Sequence, residues 1–393
     1  MMFNLNGYLM ADQFSNRSVK LINKSRVLQY LYWNSCETQM NLSKSLRLSL
    51  PTITQAIQDF KEMGLLQEGD ATESSGGRKP RLIAFNFDAY HSIGVEIRRH
   101  HVYIVAINLK GDVVYECTYK LLFENKIEYW STINAMISRL TEETPVIRQI
   151  LGVGIAFPGE LSADKIYIER ATVLGVKNEP LPDLQQIFDY DVDIDYAAHM
   201  GGFGAVWLAQ GLSDAVYLIV TDNGIAGSLI LNNQIFRGSC QNGKSGAFGH
   251  MVLVPDGKPC FCGGKGCWST YCALSNLYEL TDNDLNEFFM KLEKGDSGCL
   301  SQWEDYLTYF AQALANIRLG LDMNIIVGGK IARYLKQYLP MLIEKIKRYP
   351  SLKDDTDFLS LDSSDGNAMA IGAALVFVDR LLTGESWGEE NEK

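Results

Sequence analysis

Two stretches of this 393-residue chain repeat one another: SIGVEIRRHHVYIVAINLKGDVVYE (92–116) and AVYLIVTDNGIAGSLILNNQIF (215–236). Each reads as an apolar strand, a polar turn, a second apolar strand and a further turn. A strand unit that occurs twice implies two lobes, and the crevice between two lobes is where a ligand is expected. From about His91 onward, strand patterns alternate with helical ones, which predicts the α/β class. The strand candidates include ILGVGIAFPGE (150–160), and YDVDIDYAAHMGGFGAVWLAQG (190–211) runs from strand into a small-residue helix. LDMNIIVGGKIARYLKQYL (321–339) is a strand, Gly-Gly and helix, and SSDGNAMAIGAALVFVDRLL (363–382) a long helix. The acidic end GESWGEENEK (384–393) is expected to have no fixed structure.

The first 88 residues follow a different pattern. NKSRVLQYLYWN (23–34) carries apolar residues at 27, 28, 31 and 32, and NLSKSLRL (41–48) places Leu42 and Leu46 four apart. SLPTITQAIQDFKEMGLL (49–66) has Ser49 as a cap, Pro51 in the first turn, an inner stripe of Ile53, Ala56, Ile57 and Phe60, and Gly64 as a stop. LLQEGDATESSGGRKPRLIAFNF (65–87) then offers two short strands around a Gly-Gly tip. Three short helices followed by a hairpin make a winged helix-turn-helix, predicted over 1–88, with the two-lobed body over 89–393.

A winged helix lays its recognition helix in the major groove and its wing on the backbone or minor groove. Opposite the apolar stripe lie Thr52, Gln55 and Asp59, flanked by Pro51, Thr54 and Gln58. The DNA-facing candidates are therefore Ser49, Pro51, Thr52, Thr54, Gln55 and Gln58 on the helix, with Arg78 and Lys79 on the wing. A glutamine pairs bidentately with adenine, and a threonine methyl meets thymine. Lys44, Arg47, Lys61 and Arg81 would add phosphate attraction, and Asp59 is expected to face away from the backbone. Charge is distributed accordingly: of a net −11, residues 1–90 hold +2 and the remainder −13. One head supplies few cations, so a homodimer or a dimer of dimers is expected on an inverted-repeat operator, with half-sites one or two helical turns apart.

No run approaches the ~18 apolar residues of a membrane helix, and MMFNLNGYLMADQFSNRSVK lacks the order of a signal peptide. The chain is expected in the cytoplasm with no membrane partner. Eight cysteines in this length are no disulfide framework, and three of them, Cys260, Cys262 and Cys267, fall within eight residues. With His250 they offer four ligands of the kind tetrahedral zinc takes, within the loop 249–269; four protein ligands leave no position for water, so the metal is expected to be structural. Cys36, Cys117, Cys240, Cys272 and Cys299 are read as small buried side chains.

These residues resemble the ROK family (repressor, open reading frame, kinase) over nearly the whole chain. GH followed by CFCGGKGC is similar to its zinc signature, RGSCQNGKSGAFGHM to the loop leading into it, GIAFPGE to its Pro-Gly turn, and IIVGGKI and AIGAAL to its late glycine segments. LSLPTITQAIQDFKEMGLL and ESSGGRKPRLIAFN resemble the recognition helix and wing of the family's regulators. The resemblance implies a body with the actin-like ATPase, or sugar kinase, fold.

It also implies where kinase function would reside, and there the sequence departs. The family's first phosphate turn has an acid followed by Gly-Gly-Thr; here Glu96 is followed by bulky Arg98, Arg99 and His100. In NGIAGS, Gly224 and Gly227 persist but Ala226 and Ser228 replace glycines. Ala197 stands where the family's aspartate base belongs, His199 where an asparagine contacts sugar, and Asp195 lies two residues early. Ala247 and Ser269 replace two glutamates of the sugar shell, and Val173 an asparagine, although Asn178 remains. The ligand-binding candidates that survive are Asn178, His199, Gly224 and His250. The expected function is a repressor of carbohydrate genes that answers a small-molecule effector, a sugar or sugar derivative, through a body that is not an enzyme. An ATP-dependent sugar kinase with a fused DNA-binding head is the alternative, and a DNA-bound scaffold with an empty cleft the third.

Overall fold

The computed structural model describes residues 16–69, 81–238, 245–282, 284–364 and 366–387. The chain opens with α1 (Asn16–Asn34), β1 (Cys36–Thr38), α2 (Gln39–Leu46), α3 (Leu50–Glu62), β2 (Leu66–Glu68) and β3 (Leu82–Phe85). Thr38 and Ser49 cap α2 and α3, their side chains accepting from the backbone N–H groups of Asn41 and Thr52, which satisfies donors that a helix start leaves open. Gly64, at φ +74°, takes the left-handed conformation that ends the last turn. Ile53, Ala56, Ile57 and Phe60 are buried together with Leu28, Leu31 and Leu42, the stripe that the 3.6-residue period predicted. The hairpin gains a third strand that the sequence did not signal: β3 pairs antiparallel with both β2 and β1.

The first lobe contains β4 (His91–Ile97), β5 (His101–Asn108), β6 (Val113–Lys120), α4 (Ile127–Glu143) and β7 (Ile150–Phe157). A small antiparallel sheet of β8 (Glu160–Leu161), β9 (Tyr167–Ala171) and β10 (Val176–Pro180) follows, then β11 (Val192–Tyr196) and α5 (Ala197–Leu208). The second lobe contains β12 (Ala215–Thr221), β13 (Gly224–Leu231) and β14 (Gln234–Phe236), and after them α6 (Ser269–Cys272), α7 (Ser275–Tyr278), α8 (Leu285–Glu293) and α9 (Ser297–Leu321). It ends with β15 (Asn324–Gly328), α10 (Ile331–Ile346) and β16 (Leu359–Leu361), before α11 (Ala368–Thr383) returns to the first lobe. The two main sheets run β6-β5-β4-β7-β11 and β14-β13-β12-β15-β16. In each, the first three strands form an antiparallel meander and two parallel strands extend the opposite side, so the repeated stretches are the same structural unit.

Helix α11 packs on β4, β7 and α5 with almost no side chain between backbones. A Cβ at Gly154 would stand 1.9 Å from the Ala373 carbonyl oxygen, and one at Gly372 would stand 1.8 Å from that of Met200 on α5. Small residues at these crossings are therefore a steric requirement.

The head is docked on this same framework. Tyr32 of α1 donates its hydroxyl to the Leu109 carbonyl at 2.8 Å and accepts from Trp207 Nε1 of α5 at 2.9 Å. Ser25 Oγ donates to the Leu382 carbonyl of α11 at 2.8 Å. One hydrophobic cluster runs from Val27 and Leu31 through Phe60 and Trp207 to Leu381 and Leu382. The expectation of an unstructured tail from 384 is corrected here: Glu385–Trp387 forms a short 3-10 turn, and the Trp387 ring lies 5.4 Å from that of Phe60. Residues 388–393 lie outside the described residues. The reading of the scattered cysteines is corrected in part: Cys272 and Cys299 are buried, Cys36 is exposed and Cys117 half-exposed, and Cys240 lies outside the described residues. No helix among the described residues is long and apolar enough to cross a membrane.

Replacing Gly372 by alanine is expected to force α5 and α11 apart and lower the melting temperature, in line with the ~1–3 kcal/mol of overpacking a tight core. Tyr32→Phe, which leaves the Trp207 indole N–H without its acceptor, is expected to destabilise by a comparable ~1–3 kcal/mol. Thermal unfolding followed by circular dichroism measures both.

Candidate functional site

The histidine and cysteines converge. His250 closes a short 3-10 turn after β14, and the chain then folds back on itself through bridges between Val252 and Cys267 and between Pro259 and Lys265. Gly263 and Gly266 turn this small hairpin at φ +90° and +73°. One ligand atom from each of His250, Cys260, Cys262 and Cys267 lies within 4.8 Å of every other. Two sulfurs each about 2.3 Å from one tetrahedral ion stand roughly 3.8 Å apart, and Cys262 Sγ and Cys267 Sγ are 3.7 Å apart. His250 Nδ1 is 3.7 Å from Cys260 Sγ. The backbone N–H of Gly264 donates to Cys262 Sγ and lowers that thiol's pKa, and burial, aided by Arg170, lowers that of His250, whereas burial and the two neighbouring thiols push that of Cys267 up. Thiolate and neutral imidazole are the forms that bind metal. Donor set and spacing thus fit a closed four-coordinate ion.

Asp195 and His199 are joined by ionic groups that the sequence did not signal, Arg237, Arg170 and Glu160. Asp195, at the end of β11, is buried and ion-paired with Arg237, and its Oδ1 lies 3.2 Å from His199 Nδ1 on the first turn of α5. Burial alone would raise the Asp195 pKa, but His199 and Arg237 outweigh it and hold the carboxyl well below the usual range. His199 Nε2 is buried without a hydrogen-bond partner among the described residues. On the small sheet of the first lobe, Arg170 pairs with Glu160 at 2.7 Å, and both act electrostatically on His250. Arg237 gave no signal because its partner is distant in sequence: Asp195 precedes it by 42 residues.

The surviving ligand candidates do not form one shell. His199 joins the Asp195–Arg237 pair, and His250 belongs to the metal cluster. Gly224, at φ +155°, packs on Ser269, whose hydroxyl accepts from the Ile225 N–H at 3.0 Å. Ser269, standing where the resemblance places a sugar-binding glutamate, therefore braces the turn instead. Asn178 is exposed on β10 in a left-handed conformation, φ +52°, with no hydrogen bond to the other three.

The turn after β4, where the resemblance places the first phosphate, holds its arginines in internal contacts. Arg98 grips the buried Glu96 with two bonds, Nε–Oε1 at 2.7 Å and Nη2–Oε2 at 2.8 Å. Arg99 donates to the Val173 carbonyl at 3.2 Å. Ala197 begins α5 and offers no titratable group.

On the head, Ser49, Pro51, Thr54, Gln55 and Gln58 are exposed and Thr52 is half-buried. The Ser49 and Thr52 hydroxyls share a hydrogen bond of 2.8 Å. Arg78 and Lys79 lie outside the described residues. Of the cations expected to attract phosphate, Lys61 and Arg81 both pair with Glu68, at 3.2 and 3.0 Å, whereas Lys44 and Arg47 are exposed with no ion pair among the described residues. Asp59 pairs at 2.9 Å with Lys24 of α1.

Comparison with known proteins places this geometry. A model of the ROK family matches residues 92–380. The "Xylose repressor" of Bacillus subtilis (strain 168) is 24% identical over 378 residues, 93% of this chain and 97% of that protein. The "DNA-binding transcriptional dual regulator NagC" of Escherichia coli (strain K12) is 24% identical over 392 residues, 93% of this chain and 94% of its own length. Among solved structures, a ROK family transcriptional regulator described as a homolog of the E. coli MLC protein superposes with a TM-score of 0.76 at 17% identity, covering 93% of this chain and 99% of that one. The ROK hexokinase from Thermus thermophilus superposes with a TM-score of 0.62 at 22% identity, covering 72% of this chain and 97% of that one. The body thus has the two-lobed actin-like fold shared by these regulators and sugar kinases, and the chain belongs to the ROK family.

Proposed function

We propose that the protein is a DNA-binding transcriptional regulator, a repressor of carbohydrate genes, in which residues 1–88 bind an operator and residues 89–393 form an effector-responsive body without kinase activity. The observation that carries this reading is the exposed polar face of α3, capped and backed by a complete apolar stripe, on a head docked to a ROK body. The xylose repressor and the dual regulator, each matched along almost its whole length, support the same assignment.

Loss of catalysis follows from chemistry. Phosphoryl transfer to a sugar hydroxyl needs a carboxylate base and a turn whose backbone meets phosphate. Ala197 cannot take a proton, Asp195 is committed to Arg237 and His199, and the Arg98 side chain occupies the phosphate turn.

The effector, a sugar or sugar derivative, is assigned to the cleft near His199 and His250, with Asn178 and Gly224 at its edges. Helix α5 carries His199 in its first turn and Trp207 in its last, and Trp207 touches Tyr32 and Trp33 of the head. A ligand that moves the start of α5 would thereby move the head, and it shifts the equilibrium by its differential affinity for the two positions. His250, Cys260, Cys262 and Cys267 hold zinc in a closed structural site that braces one wall of this cleft. The protein acts in the cytoplasm as a homodimer or a dimer of dimers on an inverted repeat.

Purified protein mixed with sheared genomic DNA at moderate salt is expected to enrich a few inverted-repeat sites; failure to enrich any, or sugar-dependent ATP turnover by the purified protein, would overturn the reading. Cys260→Ser is expected to lower bound zinc from one ion per chain to near zero by elemental analysis and to abolish effector-driven release from DNA. A zinc-free variant with unchanged effector response would remove the loop from the signalling path.

A further inference from the structure

Two of the exposed residues on α3 are not free side chains. Gln55 Nε2 donates to Asp59 Oδ1 at 2.8 Å, and Gln58 Nε2 donates to Glu62 Oε1 at 2.9 Å, each one turn ahead. Chemistry fixes the sense of these bonds. An ionised carboxylate only accepts, so each amide must turn its nitrogen toward the acid and its oxygen away.

The two pairs differ in how firmly they are held. Glu62 is exposed and has no cation beside it among the described residues. Asp59 is anchored: its Oδ2 lies 2.9 Å from the Lys24 ammonium, and both side chains are more than three-quarters buried, with 24% and 21% exposed. Lys24 in turn lies over the rings of Phe60 and Trp387, at 5.3 and 5.6 Å from their centres. Burial opposes ionisation of Asp59, but Lys24 and Gln55 outweigh it and lower the carboxyl pKa. An acid on a DNA-facing helix repels phosphate and weakens binding to every sequence alike. The geometry gives this one a different task.

We propose that Asp59, anchored by Lys24, is a positioning residue for base reading: it takes one N–H of Gln55 and leaves the amide oxygen and the second N–H facing the major groove. The N–H it takes is the one pointing away from the amide oxygen, because the reverse would bring that oxygen against the carboxylate. The edge left over is an acceptor beside a donor, which matches the N6–H and N7 of adenine. Gln55 is therefore the fixed adenine reader, and Gln58, on an unanchored acid, is the adaptable neighbour. This inference rests on the DNA-binding reading above.

The test uses the full-length protein and the operator found by genomic enrichment, with a panel of single base-pair variants across one half-site at fixed salt. Wild type is expected to prefer an A·T pair at one position by about tenfold. Gln55→Ala and Asp59→Asn should lose that preference at the same position, to within about twofold, and keep it elsewhere; the double variant should lose no more than either. Asparagine keeps the shape of aspartate but donates as well as accepts, so it no longer dictates the amide. Lys24→Arg, which keeps the cation, should retain the preference. Asp59→Asn binding all sequences more tightly with unchanged preference would show that the acid only repels phosphate and overturn the proposal. So would a loss spread evenly over all positions, or a Gln55 position that reads another base. No enrichment by the wild-type protein would instead overturn the DNA-binding reading itself, a result separable from all of these.

Discussion

The contact between α5 and α11 is the constraint on which the rest of the molecule depends. At Gly372 the two helices meet at backbone distance, and at Gly154 α11 lies as close to the first sheet. Side-chain interfaces tolerate repacking, but a backbone-to-backbone crossing fixes position, because no rotamer change can absorb a shift. The ends of these two helices are the places where function is expected. The start of α5 carries His199 beside the Asp195–Arg237 pair. Its end carries Trp207 against Tyr32, and the end of α11 meets Ser25.

The polar groups of the cleft follow a common pattern. Where the ROK resemblance implies substrate-directed groups, this chain turns the equivalents inward. Glu96 is gripped by Arg98, Asp195 by Arg237, and Ser269 is engaged by the Ile225 amide. These three groups thus acquire internal partners, which offsets the cost of their desolvation. A site that satisfies itself has less to offer a phosphate or a sugar hydroxyl. The loop 249–269 brings one donor atom from each of His250, Cys260, Cys262 and Cys267 within 4.8 Å of the others, and its glycines permit the turn.

Much of the fold was legible from residue order. The period of 3.6 in residues 53–60 and the cap at Ser49 fixed α3, and the twofold occurrence of one strand-turn-strand pattern predicted two lobes, whose main sheets share one topology. Cys260, Cys262 and Cys267 were legible because their chemistry is crowded into a short span. The third strand of the head was not, since Cys36–Thr38 is too short to carry an alternation. The acidic neighbours of Trp387 point to a tail, and its contact with Phe60 is a tertiary one with no local pattern behind it.

Local sequence determined what depends on neighbours a few residues apart: caps, helix faces, turns at glycine and the ligand set of the metal loop. Tertiary structure alone decided which charges meet. Arg237 reaches Asp195, Lys24 reaches Asp59, and Tyr32 reaches Trp207 across separations of 42, 35 and 175 residues. Such pairs leave no periodic trace, because the energy of an ion pair or hydrogen bond depends on distance and burial in space, and these are set only when the sheets and helices have closed on one another. The sequence therefore offered candidates for reading DNA and for holding a metal, while the folded chain set the bond from Gln55 to Asp59 and committed Asp195 to Arg237 and His199.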